Sequence, residues 1–276
     1  MGGALVRGII RAGLAEAADV VVHDTNGALA EALALDTGVA VAASNGELAQ
    51  RARTIVIAVK PQHIHSPLAA LAREWRPHHV LVSVCAGLTC AFFEERLASR
   101  EVPAPRVVRT MPNTPAMIGA GAAGVAAGAH ALAADTDAAL ALLRAVGIAE
   151  VLPESVMDAV TATAGSGPAY VFRLIEAMIA GAVAQGIPPQ EAERLVKQTV
   201  MGAARLALEG TQPVADLRRA VTSPGGTTQA GLAVLDGRDF MGIVAECIAA
   251  ATRRGAELSA AASQATQHMA NGPASG

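Results

Sequence analysis

Residues 54–59, T-I-V-I-A-V, decide the fold. The run is apolar at nearly every position instead of every second one, and it is rich in β-branched side chains, so it reads as a strand buried on both faces. Strands of that kind belong to parallel sheets covered by helices. Just upstream, Ser44 and Glu47 stand at capping-box spacing and start a short helix over Gly46–Arg51. Working outward, comparable strand runs occur at Val20–His23, His79–Val84, Val107–Thr110, Ala122–Ala126 and Glu150–Leu152, with helical patterns such as Gly27–Leu35 and Asp137–Val146 between them. The expectation is an α/β domain over 1–153 built on a parallel sheet.

From Ser155 onward the strands stop and helical periodicity takes over. Helices are expected at Pro168–Gln185, Pro189–Leu208, Val214–Val221, Thr227–Leu235 and Phe240–Ala262, punctuated by Pro188, Gly210, Pro213 and Gly237. Small-residue runs, Ala180-Gly181-Ala182 and Gly202-Ala203-Ala204, permit close helix packing, and the wide apolar faces call for a partner subunit. This gives an all-α domain over 154–262. The stretch 263–276 is short of large apolar residues and is expected to be disordered.

At 276 residues the chain is long enough for two domains, and its net charge of −3, with no basic patch, argues against a nucleic-acid partner. No uninterrupted apolar run reaches the roughly 18 residues of a membrane span and no signal peptide opens the chain, so a soluble, cytoplasmic protein is expected. Cys85, Cys90 and Cys247 are odd in number and lack C-x-x-C spacing, which supports neither a disulfide framework nor structural zinc. His63 and His65 sit two apart without an acidic or Cys neighbour and read as a solvated loop; no metal site is expected.

In open parallel sheets ligands collect beyond the carboxyl ends of the strands. Three ends carry pointed chemistry: Lys60-Pro61, Cys85-Ala86-Gly87 and Met111-Pro112-Asn113-Thr114-Pro115. Each alone reads as tight loop chemistry; jointly they line one crevice. Asp24, ending the Val20–His23 run, either accepts from a ribose hydroxyl or simply caps the next helix. A dinucleotide fold should begin with a strand and G-x-G-x-x-G, yet the sequence opens M-G-G-A-L-V-R-G-I-I, already in the crossover helix. That first strand is central, so its loss would leave unpaired backbone on both neighbours; a start placed too late, or a truncation, is the expected cause.

The helical half holds V-T-S-P-G-G-T-T-Q-A-G-L at 221–232. Pro224 pre-sets a turn, Gly225 and Gly226 let a ligand approach the backbone, and Thr227 and Thr228 open a helix whose amides are unpaired. The stretch suits a carboxylate; taken alone it also reads, and more simply, as an ordinary hydroxyl-capped helix after a Pro-Gly turn.

Five segments, A-V-K-P at 58–61, M-P-N-T-P at 111–115, M-D-A-V-T at 157–161, G-S-G-P-A-Y at 165–170 and V-T-S-P-G-G-T-T at 221–228, together resemble the pyrroline-5-carboxylate reductase family in order and spacing. The resemblance implies a Rossmann-like domain, here with its first strand missing, that binds NADPH or NADH, followed by an all-α dimerisation domain. It implies a homodimer or larger homo-oligomer whose substrate pocket is completed by the second subunit. By that resemblance Asn45, Ala58, Val59, Lys60, Pro61, Val84, Cys85, Ala86, Asn113 and Asp24 contact the cofactor. Ser223, Gly225, Gly226 and Thr227 form the substrate loop, with Thr161 and Glu154 on the pocket wall and Thr228 beside the imine nitrogen. The family's phosphate-binding glycines have no counterpart, since Met1 matches the Met that follows them, so the resemblance assigns no residues to the pyrophosphate site. NADPH is favoured by the resemblance, although Asp24 would repel a 2'-phosphate. Two other readings stay open: a different imine or hydroxyacid reductase, which would want a Lys or Asp where this chain has Ser166, Gly167 and Pro168, and a dimeric remnant without cofactor binding.

Overall fold

The computed structural model describes residues 1–270, which form two compact units: Met1–Ser166 with the chain from Ala250 onward, and Gly167–Ala249. In chain order the first unit contains α1 (Gly2–Arg11), β1 (Val21–Val22), α2 (Gly27–Thr37), β2 (Ala40–Val41), α3 (Asn45–Arg51), β3 (Thr54–Ile57), α4 (His65–Glu74), β4 (Val80–Ser83) and α5 (Cys90–Leu97). It continues with β5 (Arg106–Met111), β6 (Gly121–Ala127), α6 (Ala133–Arg144), β7 (Gly147–Val151) and α7 (Met157–Val160).

The T-I-V-I run is β3, and β3, β4 and β5 are parallel and in register, Thr54 against Val80 and Val80 against Arg106. Period-2 alternation sends Ile55, Ile57 and Leu81 into one core with Leu68, Trp75 and Phe93, and sends Val80, Val82 and Val108 into a second core with Leu5, Ile9 and Leu143. Every residue of β4 is therefore buried. The apolar texture that identified these strands is the mark of that two-sided burial.

Two features differ from a purely parallel sheet. β6 runs antiparallel to β5, while β7 is parallel to β6. The cause is the Pro112–Ala120 connection, a 3-10 turn over Thr114–Ile118 that is too short for a parallel crossover. The strands also fall into two sheets, β1-β2 and β3-β4-β5-β6-β7, so β1 and β3 each pair on one side only. These are the two edges that the expected first strand would join. β1 and β2 are correspondingly short. Helices α4 and α5 lie where the periodicity gave no clear signal; Thr89 caps α5 by accepting the N–H of Phe92.

The second unit contains α8 (Gly167–Ala184), α9 (Pro189–Glu209), α10 (Val214–Ala220), α11 (Thr227–Gly237) and the start of α12 (Phe240–Ala270). Gly186, at φ +91°, makes the turn that folds α9 back on α8. No residue of α8, α10 or α11 is buried. α12 runs to Ala270, through residues 263–270 that were expected to lack structure: Ala, Gln and Met favour helix, and Gly272 and Pro273 are the first breakers. Residues 271–276 lie outside the described residues. Glu154–Ala184 is long and apolar enough, by length and composition alone, to cross a bilayer, a feature the search for uninterrupted apolar runs missed because Arg173 and Glu176 break it.

Candidate active site

Because β3, β4 and β5 are parallel and in register, the segments after them leave one edge of the sheet together. Lys60-Pro61 follows β3 and enters a 3-10 turn over Pro61–His63. Val84, Cys85 and Ala86 follow β4, and Met111 through Pro115 follow β5. Hydrogen bonds lace these ends: Val84 N–H donates to Ile57, Cys85 Sγ donates to the carbonyl of Val59 at 3.2 Å, and Thr110 Oγ1 donates to the carbonyl of Ser83 at 2.9 Å. Cys85 is thus present in the crevice as backbone, its thiol turned inward and its pKa raised by burial. Gly87, at φ +73°, closes the turn. Gly2 at the start of α1 lies beside Ala58, where a Cβ would sit 3.4 Å from the Ala58 Cβ, so the N-terminal end of α1 lies beside the same strand end.

The segments after β1 and β2 belong to the same unit. His23 Nδ1 is 3.1 Å from the Ala42 carbonyl and joins the two strand ends. Ser44 caps α3 as the sequence indicates, accepting the N–H of Glu47, while the Glu47 carboxylate returns to the N–H of Ala43; Asn45 opens that helix, half-buried. Asp24 is exposed, and its Oδ1 accepts the N–H of Asn26 at 2.8 Å, an Asx turn leading into α2.

Asn113 is nearly enclosed. Its Nδ2 donates to the carbonyl of Ala164 and its Oδ1 accepts the N–H of Ala122, both at 3.0 Å. Glu154 and Thr161, expected on a pocket wall, make structural bonds. Glu154 accepts the N–H of Cys90 at 2.7 Å and faces the Arg109 guanidinium at 3.4 Å; Thr161 Oγ1 donates to the carbonyl of Met157 at 2.9 Å. Burial, and after it the Glu154 carboxylate, push the Cys90 thiol up to about 12, leaving it a neutral thiol. Arg109, missed by sequence reading, is a buried cation in β5 that also reaches Asp158 at 3.3 Å; an arginine inside an apolar strand was the available signal. This pairing draws Glu154 through Ser166 onto the sheet unit.

In the helical unit, Gly225 adopts φ +71° and its N–H donates to Gln229 Oε1 at 2.6 Å. Gly226 caps α11 with its own N–H bonded to the carbonyl of Ser223. The two glycine amides are therefore spent on the loop. The donors left for an anion are the first-turn amides of Thr227, Thr228 and Gln229, beside the hydroxyls of Ser223, Thr227 and Thr228. A Cβ at Gly226 would overlap Ser223 Oγ in its present rotamer and stand 3.1 Å from the Ser223 carbonyl, so a side chain here would make the hydroxyl turn and the loop shift slightly.

Residues 154–258 match the family model described as pyrroline-5-carboxylate reductase dimerisation, and residues 1–87 match one described as NADP oxidoreductase coenzyme F420-dependent. A pyrroline-5-carboxylate reductase from Pseudomonas aeruginosa is 40% identical over 259 residues, covering 94% of this chain and 93% of that protein. Among solved structures, a pyrroline-5-carboxylate reductase from Coxiella burnetii superposes with a TM-score of 0.87 at 33% identity, covering 92% of this chain and 93% of the other. A pyrroline carboxylate reductase from Plasmodium falciparum, solved with NADP bound, gives 0.79 at 30% identity, covering 94% of each chain. With relatives this similar over nearly its whole length, the chain belongs to the pyrroline-5-carboxylate reductase family.

Proposed function

We propose that this protein reduces 1-pyrroline-5-carboxylate to L-proline with NADPH as hydride donor, in the cytoplasm and as a homodimer or a larger homo-oligomer. The observation that carries the reading is the near-full-length similarity to named reductases, joined to a loop whose remaining donors suit a carboxylate. The amides of Thr227, Thr228 and Gln229, with the positive end of α11, hold the substrate carboxylate and orient its ring. A reduced nicotinamide bound there would supply the hydride to the imine carbon, and one proton taken up by nitrogen would complete the amine.

Thr228 is placed beside the imine nitrogen. A threonine hydroxyl is a weak acid, so its part is to orient the nitrogen and pass on a proton that comes from solvent. The sheet unit would hold the donor. Ala58, Val59, Lys60 and Pro61, Val84 through Ala86, and the Met111–Pro115 loop leave one sheet edge with small residues that let a flat ring lie on backbone. The Gly2 and Gly3 amides at the start of α1, beside Ala58, suit a phosphate. NADPH is preferred on the name of the matching model and the NADP in the Plasmodium relative. Asp24, whose Oδ1 is held in the Asx turn, is the residue that would work against it. The wide exposed apolar faces of α8 and α9 support assembly with a second copy.

The test is imine-dependent oxidation of NADPH by the purified protein. Thr228→Ala is expected to lower kcat at least tenfold with little change in NADPH affinity, the loss of a group that acts in the transition state. An unchanged kcat removes Thr228 from the mechanism. NADPH binding without any oxidation on adding the imine overturns the substrate assignment.

A further inference from the structure

We propose that Asn113 is a positioning residue, locking the Met111–Pro115 loop to the turn ahead of α8 through the carbonyl oxygen of Ala164. The inference rests on the reductase reading for its consequence, though not for its geometry. Pro168 follows Ala164 by four residues, the position whose N–H would close an α-helical bond to that carbonyl, and proline has no N–H to give. Asn113 Nδ2 supplies the donor at 3.0 Å from the other side of the chain.

Three further features fit the lock. The turn is widened: Thr161–Gly165 is π-helical, and Ser166 N–H reaches back five residues to the Thr161 carbonyl at 2.8 Å. Such a turn shifts the helix ladder and leaves carbonyls for outside donors. Gly165 lacks the Cβ that would come 3.0 Å from Met111 Cε, so the first residue of the loop lies directly on the turn. The far end of the Asn113 amide is committed as well, because Oδ1 accepts the N–H of Ala122 at 3.0 Å. With one end on an acceptor and the other on a donor, the asparagine amide satisfies both, and its orientation is fixed by them. An amide so committed sets the position of the loop backbone. Its contribution to hydride transfer passes through Met111–Pro115, one of the segments of the proposed cofactor site.

A rescue experiment separates this role from direct contact with cofactor or substrate. Asn113→Asp keeps the acceptor for Ala122 and replaces the donor to Ala164 with a carboxylate oxygen. Pro168→Ala gives the Ala164 carbonyl a donor within its own helix. Thermal midpoints and steady-state kinetics are measured for N113D, P168A and the double variant. Losing one buried hydrogen bond while facing two acceptors at each other is expected to lower kcat/KM by about tenfold or more, with a lower midpoint. The double variant is expected to regain part of the midpoint, because the Ala164 carbonyl then has a donor in its own helix, while kcat/KM stays within about threefold of N113D, because the loop is still untied. A double variant that recovers kcat/KM together with the midpoint overturns the positioning role, because the bond between loop and turn is still missing in it. A lower kcat/KM for N113D with an unchanged midpoint overturns the lock, because only a direct contact with cofactor or substrate would be lost without loosening the fold. The midpoints need no substrate, so a wild type without imine-dependent turnover is recognised separately, as failure of the reductase reading.

Discussion

In the sheet unit Phe93, Leu81 and Val107 are wholly enclosed by that unit's own side chains, whereas in the helical unit Phe172 is 59% exposed and its neighbours Val171 and Leu174 are 43% exposed. The first unit meets its own need for burial by layering helices on both faces of a sheet. The second has helices of good length and the same apolar richness, yet α8, α10 and α11 bury nothing within it. Helices of this kind supply half of a core, and the other half is another molecule. The same hydrophobic residue should therefore mean different things in the two regions: folding stability in one, association in the other.

The largest effect expected from that difference is at Phe93, which packs edge-on against Phe92 with ring centroids 5.1 Å apart. Phe93→Ala should cost roughly 3–5 kcal/mol in denaturant unfolding, a loss equal at low and high protein concentration. A loss that grows on dilution would show that the sheet unit also depends on assembly. Next comes Arg109. Removing a buried cation strands Glu154 and Asp158, which keep some contact with water; Arg109→Met is expected to cost about 2 kcal/mol, less than a fully buried pair would. Limited proteolysis should then cut between residues 152 and 166, where the anchor is lost. An unchanged digest would place the hold on that segment elsewhere, in the close approach of Met157 and Val160 to Gly124.

The sheet was legible in the sequence because two-sided burial forces unbroken apolar strands, and β3, β4 and β5 obey it. The antiparallel entry of β6 was not, since it depends on the length of the turn after Met111 and not on the strand's own composition. Helix α5 was missed because C-A-F-F-E-E-R-L buries four of its residues and shows no narrow stripe. At the site, the threonine-rich helix start was readable from residue types alone. What could not be read was which donors are already used: Gly225 and Gly226 give their amides to Gln229 and Ser223, and Asn113 gives its own to a carbonyl 51 positions away. Local chemistry announces a group; only the folded chain shows whether it is free.

An effect comparable to that at Arg109 is expected at Phe172, and it should be of the other kind. Truncating a half-exposed aromatic that a second copy covers removes apolar contact worth about 1.5–3 kcal/mol, so Phe172→Ala should weaken self-association about ten- to a hundredfold. Sedimentation velocity across a dilution series measures it. The variant's unfolding at high concentration should lie close to that of the parent. Should Phe172→Ala leave association intact and lower stability by a constant amount, the helical unit has a core of its own and the contrast between the regions fails.

The smallest effect separates the units by pH. His79 is buried beside Trp75 and His78, with ring centroids 5.0 and 4.2 Å away, and its Nδ1 accepts the N–H of Arg76 at 2.9 Å. Burial, followed by the neighbouring charges of His78 and Arg76, lowers its pKa below the ordinary 6.5, against a weaker opposing pull from the Ala49 backbone. The folded protein thus binds fewer protons at this site than the unfolded chain does just below pH 6.5, and stability rises with pH wherever the unfolded chain binds more. The contribution is complete above pH 6.5 and is lost as the pH falls through 6.5 toward the folded value. His79→Asn, which can still accept from Arg76, should flatten that part of the stability profile. Residues 167–249 contain no histidine, so the slope should follow the unfolding of the sheet unit and be absent from the association constant of the helical one. Hydrogen exchange of β4 amides on either side of pH 6.5 reads the first quantity and sedimentation the second; a slope in the second alone would move the pH dependence to the wrong half of the molecule.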